Sequence, residues 1–203
     1  MAGKNLAFRR WHEAKKWVLH QGMRTNFEYI FAYDAVTGVV IARETNELPG
    51  MVAIPSAVKE MAKDRSRKIG IHHNHPNSSG LTGADFLILA SNPGIGAIIA
   101  HGHDGSDYIA SAVERGNIAE QLHCVLDALY RIVRNDSTAI LLQNRGVLTP
   151  LMGHLLGLAL CASGVIAYKA KLSVKAEVLY QLFQPDIDTW VNAAVLSCPI
   201  VRR

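Results

Sequence analysis

Between positions 27 and 112, five short runs rich in aromatic and β-branched residues alternate with segments of helical spacing, and that alternation restricts the chain to an α/β fold built on a mixed β-sheet flanked by helices. Residues 27–33 and 39–42 flank a turn that holds Asp34, Thr37 and Gly38, so they read as a hairpin. Residues 55–65 open on Pro55 and continue with helix-tolerant residues, which predicts a helix. Residues 68–75 read as a strand running into a loop over 76–81. Thr82-Gly83-Ala84-Asp85 then caps a helix that Asn92-Pro93-Gly94 ends. Two further strands, 95–100 and 107–112, surround a turn at 101–106.

The flanks differ in character. Phe8, Trp11, Ala14 and Val18 recur at helical spacing, and Gly22 stands where such a helix would stop. Beyond Glu114, Leu122, Val125, Leu126, Leu129, Ile132 and Val133 again follow a helical period, as do residues 171–183, so the last third is expected to be mostly helical. Residues 147–168 carry no charge and are bracketed by Arg145 and Lys169. Their length suits a membrane span, but Pro150, His154, Ser163 and the glycines at 153, 157 and 164 favour a buried helix or helical hairpin. The spacing of Gly153 and Gly157 suits tight packing in either medium. The resulting division is an N-terminal helix over 1–22, an α/β domain over 23–115 and a helical C-terminal region over 116–203.

At 203 residues the chain can bury one core, and 49% hydrophobic against 19% charged residues excludes a disordered polypeptide. The net charge of +4 is concentrated in Lys4, Arg9, Arg10, Lys15, Lys16 and Arg24, against Glu13. This reads as a helix with a solvated basic face, and nucleic-acid binding is not inferred from it. Cys124, Cys161 and Cys198 are odd in number, far apart and without a Cys-x-x-Cys, which predicts buried thiols in a reducing compartment. No apolar stretch with a cleavage site follows the basic N-terminus. A bacterial cytoplasm is therefore the expected location, with delivery as an effector left open.

Chemistry concentrates in His73-Asn74-His75-Pro76 and in Thr82 and Asp85 behind it. Side chains two apart on a strand share a face, so His73 and His75 present two imidazoles together while His72 points the other way. A loop then returns the chain to a helix whose first turn carries Asp85, completing three metal ligands with a fourth position free. That is the layout of a catalytic zinc site, whereas a structural site would be closed by four ligands and favour cysteine. Thr82 and Asp85 also read as a plain helix-capping box. Glu28 lies in an aromatic run, where a carboxylate without a partner or a task is costly; the plainer reading is an edge-strand glutamate facing water. Glu44 and Glu47 are its rivals, in a polar turn. His101 and His103 repeat the His-x-His spacing among flexible glycines and are weak candidates for a substrate-facing loop. His72 reads as a packed neighbour, and Asn74 either tunes a ligand or holds the strand end.

The pattern His73-x-His75-Pro76 with Thr82-x-x-Asp85 resembles the signature of the JAMM/MPN (JAB) metalloprotease superfamily, His-x-His-Pro, a spacer, then Ser-x-x-Asp. The His-Asn-His-Pro form, residues 71–86 and the later 103–108 are similar to its RadC-like and bacterial toxin and phage branches. The likeness covers about residues 27–112. It departs in Thr82, which stands where the family has serine, and in a spacer one residue shorter. The resemblance implies cytidine-deaminase-like layers, Zn2+ held by His73, His75 and Asp85, and an upstream general base, assigned to Glu28. It further implies Thr82 steadying an oxyanion and hydrolysis of a peptide or isopeptide bond in a protein substrate. A toxin or effector role and removal of a ubiquitin-like tag both suit it. Two other classes stand beside this reading: a non-catalytic module that binds a protein or DNA partner, and a membrane-acting protein working through 147–168. Oligomeric state is not legible.

Overall fold

The computed structural model of the chain describes residues 2–48 and 50–198, without the side chains of residues 2–5 and 7. Among these residues the strands β1 (Tyr29–Asp34), β2 (Val40–Thr45), β3 (Ile69–His75), β4 (Ile95–Gly102), β5 (Asp107–Ala112) and β6 (Ile166–Lys171) form one sheet in the order β2-β1-β3-β4-β5-β6. Only β3 and β4 pair in parallel, because the helix α3 (Gly83–Ser91) carries the chain back between them; the other pairs are antiparallel. The expected α/β class with a mixed sheet is the observed one.

Strand alternation sorts the side chains between two faces. On one face, Ile30, Ala32, Ile69, Ile71, Ile98 and Ala110 belong to the large core. Helices α2 (Ser56–Met61), α3, α4 (Arg115–Asn135), α5 (Ser137–Asn144), α6 (Leu148–Ala162) and α8 (Gln184–Leu196) contribute to that core, and α7 (Val174–Leu182) lies beside it. On the other face, Phe31 and Tyr33 pack against Ala14 and Val18 of α1 (Ala2–Thr25). Helix α1 does not stop at Gly22. That residue is buried inside the helix because the backbone comes against β3 there: a Cβ on Gly22 would lie 2.2 Å from the Asn74 amide nitrogen. Nor is the basic face of α1 wholly solvated, since Lys15 reaches Asp107 at 2.6 Å.

The C-terminal third is mostly helical, as expected, and adds one strand that the sequence did not announce. The uncharged stretch 147–168 divides at Ser163 and Gly164, where Gly164 takes φ +77°, into α6 and the start of β6. Strand β6 extends the sheet alongside β5, so residues 116–198 are built into the α/β body. The absence of charge has a packing cause: Leu155, Ala159 and Leu160 are fully enclosed. Both glycines serve close approach, as their spacing suggested. A Cβ on Gly153 would meet the Gly80 and Leu81 carbonyl oxygens at 2.7 Å, and one on Gly157 would meet the Tyr168 ring at 2.4 Å. Helix α6 has 15 residues, and among the described residues no helix is long and apolar enough to cross a membrane.

The cysteines correct a second expectation. Cys124 of α4 and Cys198 after α8 form a disulfide across 74 positions, and only Cys161 is free. Sequence separation of this size hides a pairing that tertiary structure alone creates, and closing so long a loop restricts the unfolded chain strongly.

Candidate metal centre

His73, His75 and Asp85 come together as the strand-loop-helix reading requires. The two histidines sit on the core face at the end of β3, and Asp85 occupies the first turn of α3. All three are buried. His73 Nε2 lies 2.9 Å from His75 Nε2 and 3.2 Å from Asp85 Oδ1, and His75 Nε2 lies 3.8 Å from Asp85 Oδ2. Ligand atoms placed tetrahedrally around one small cation stand about 3.3 Å apart. The observed gaps bracket that separation, and among the described residues this is the group that can hold a metal ion.

Hydrogen bonding aims the donors. The second ring nitrogen of His75, Nδ1, donates to the Ser79 carbonyl at 2.9 Å, which leaves Nε2 as a lone pair. His73 Nε2 faces His75 Nε2 and Asp85 Oδ1 together, and the Asp85 carboxylate favours a proton on the His73 ring. Two buried ring nitrogens 2.9 Å apart need a proton or a cation between them, and a metal ion would meet that need. Asp85 Oδ2 accepts from the Thr82 backbone N–H at 2.7 Å and from its hydroxyl at 2.8 Å, leaving Oδ1 to face His73. The capping box and the ligand set are thus one construction. Thr82 spends its hydroxyl proton on Asp85, so its observed task is to orient that carboxylate; the oxyanion role is not what this hydrogen bond serves.

The protonation balance follows from burial and close charge. Burial pushes the His73 imidazole down, but the Asp85 and Glu28 carboxylates overcome this and raise it. Burial and the neighbouring His73 charge push His75 down to about 4. Burial opposes ionisation of Asp85, yet the two histidines and Thr82 hold it well below the usual carboxylate range.

Glu28 lies just ahead of β1 and is 6% exposed, so it is not a water-facing edge residue. The pairing of Ile30 with His73 puts Glu28 on the same face as both imidazoles. It interacts electrostatically with His73 and Asp85, and burial raises its carboxyl to about 7. The rivals Glu44 and Glu47 are exposed.

Asn74, fully buried between the two histidines, points to the α1 face and holds this arrangement from behind. Its Oδ1 accepts from the Tyr29 N–H at 2.8 Å, and its Nδ2 donates to the Phe27 carbonyl at 3.0 Å. These two peptide groups flank Glu28. Of the two tasks open to Asn74, it performs the second: it ties the end of β3 to the segment carrying Glu28. Replacing Asn74 by leucine would strand a buried donor and a buried acceptor, costing about 1–3 kcal/mol. The expected result is a lowered urea-unfolding midpoint with unchanged metal uptake, since Asn74 binds backbone groups and none of the three candidate ligands. Urea unfolding and metal analysis on the same preparation check both halves.

The weak candidates lie elsewhere. His101 is fully enclosed on the α1 face, 2.7 Å from Asp107 Oδ1 and 2.9 Å from His72 Nδ1. His103 meets Asn74 Nδ2 at 3.0 Å, beside Gly22. Neither side chain reaches the metal face. His72 is the packed, hydrogen-bonded neighbour expected of it, with Trp11 edge-on to both it and His101. The buttress that sequence reasoning missed is α6: its backbone at Gly153 and His154 rests on Gly80, directly ahead of Thr82. His154 is itself buried against the Tyr168 hydroxyl at 3.0 Å.

Comparison of the chain with protein-family models, with curated proteins and with solved structures finds no match.

Proposed function

We propose that this chain is a zinc-dependent hydrolase of peptide or isopeptide bonds, of the JAMM/MPN kind that its His-x-His-Pro and Thr-x-x-Asp pattern resembles. The observation that carries the reading is the convergence of two imidazoles and one carboxylate with a second, protonatable carboxyl group, Glu28, on the same buried face. The nitrogen-rich three-donor set suits zinc, which supplies Lewis acidity, bringing water toward neutral ionisation and polarising an acyl oxygen. His73, His75 and Asp85 would hold it. Glu28 accepts the proton of the attacking water and returns it to the departing amine, a task for which a carboxyl titrating near neutrality is suited. Thr82 holds Asp85, and Asn74 holds the Glu28 segment.

The substrate of this reading is a protein or peptide, a ubiquitin-like conjugate included. The Cys124–Cys198 disulfide favours the delivered-effector arm over a reducing cytoplasm. A non-catalytic binding module would need no buried carboxyl beside the metal, so Glu28 counts against it. The test is incubation of the zinc-loaded chain with an unfolded protein and with a lysine-linked isopeptide conjugate. Release of new amino termini, halted by a chelator and restored by zinc, is expected. No product, or product that a chelator leaves undiminished, would refute the assignment.

A further inference from the structure

A cleft of about 360 Å3 opens on the metal face, between the loop that follows His75 and the C-terminal helices. Asn77 and Ser78, two and three residues beyond the ligand His75, form one wall. Its other walls come from Leu151 of α6, Leu172, and Leu179 and Phe183 in and after α7. Tyr108 lies among them in the same cross-strand row as His73, through the pairs His73 with Ala100 and Ala100 with Tyr108. Two strand spacings separate those residues, about 10 Å. An extended peptide covers that span in about three residues.

The wall shared with the metal loop is held in place. Ser78 takes φ +57°, unfavourable for a residue with a Cβ, and its hydroxyl accepts from the Asp104 N–H at 3.0 Å. Ser78 also lies over Gly102, where a Cβ would come 3.1 Å from its Cα. The loop therefore stands as a fixed ridge between the metal ligands and the cleft.

Charge in the cleft is unequal. Asp104 lines it, but its Oδ1 is engaged by the Ser106 N–H at 3.0 Å and hydroxyl at 2.6 Å. Arg145 and Lys175 line it too, and among the described residues neither forms an ion pair. An apolar interior with two cations at its rim, against one carboxylate already held by Ser106, is net positive and complements a bulky apolar side chain adjoining a carboxylate.

We propose that this cleft is the specificity site of the hydrolase, taking a substrate segment with a large apolar residue next to an acidic one, about three residues from the cleaved bond. The inference rests on the hydrolase reading for its purpose, but the binding it predicts does not require cleavage. Segments rich in lysine or arginine are disfavoured there.

The test uses the full zinc-loaded chain carrying Glu28→Gln, to suppress turnover, and fluorescein-labelled peptides that contain Leu-Glu, Ala-Glu or Leu-Lys at one position. Anisotropy titration is expected to show the Leu-Glu peptide binding about tenfold more tightly than either of the others. The exposed double substitution Arg145→Glu with Lys175→Glu should transfer the preference to the Leu-Lys peptide. Ala176→Trp, which fills the cleft from α7, should weaken all three. Equal affinities across the series, no binding at all, or a preference that the charge reversal leaves intact would each overturn the proposal. Failure of the hydrolase reading looks different: zinc does not bind or the wild type releases no product, while the peptide preference stands.

Discussion

A Glu28→Gln chain is expected to bind zinc as the wild type does and to hydrolyse its substrate about 10³-fold more slowly, the loss typical of removing a well-placed general base. Glutamine keeps the shape of the side chain, so the substitution removes proton acceptance and little else. In wild type, burial holds the Glu28 carboxyl up at about 7, against an ordinary 4.5, and a cation beside it draws that value down. Turnover of the zinc-loaded enzyme should therefore fall toward acid with a midpoint at or below about 7, because the base must be ionised to act. Zinc content, turnover number and a pH profile measured together decide the assignment; undiminished turnover in the glutamine variant would move the base to another residue.

The same raised value makes a prediction about stability, with the opposite pH sense. A carboxyl whose folded pKa exceeds its unfolded one favours the folded state while protonated, and that contribution disappears as pH rises through the folded value. Metal-free wild type should thus lose stability between about pH 5 and pH 8, on the order of 2 kcal/mol from this group. Metal-free Glu28→Gln should not show this loss. Urea unfolding in the presence of a chelator at the two pH values makes the comparison, and a gain in stability paired with a loss of turnover is the signature of a functional group held against its own preference.

His75→Ala is the second large effect. It removes one donor of three and leaves His73 and Asp85 unable to close around a cation, so zinc affinity should drop by about 10³-fold or more. Turnover disappears with the metal. A separate readout needs no substrate: zinc at a hundredfold excess over its dissociation constant should stabilise wild type by about 2.7 kcal/mol and His75→Ala negligibly. Equal stabilisation of both would mean that zinc binds somewhere else.

These predictions rest on features that the sequence carried to different degrees. The sheet from β1 to β5 was legible because its strands, enclosed between helical layers, are compact apolar runs separated by glycine, proline and asparagine. The candidate metal-holding group was legible because His73 and His75 are two apart on a strand and Asp85 opens the next helix, so local geometry alone brings them to one face. Strand β6 was not legible. Its apolar start continues the uncharged composition of α6, and only Gly164 marks the change of period. Gly22 looked like a helix stop for a related reason, since a glycine reserved for close backbone approach and one reserved for a cap are identical in a single sequence.

What remained hidden depends on distant segments meeting. The disulfide joins residues 74 positions apart, Lys15 on α1 reaches Asp107 on β5, and Asn74 binds the backbone on both sides of Glu28. The cleft proposed for substrate binding combines the loop after His75 with α6 and α7. No local period or motif encodes such a surface.

Diffraction data collected at the zinc absorption edge from crystals of the zinc-loaded chain would test the core of this account most directly. One strong anomalous peak is expected within about 2.2 Å of His73 Nε2, His75 Nε2 and Asp85 Oδ1, as the zinc assignment requires. No peak there, or a peak held by other residues while these three side chains stay paired with one another, would contradict it.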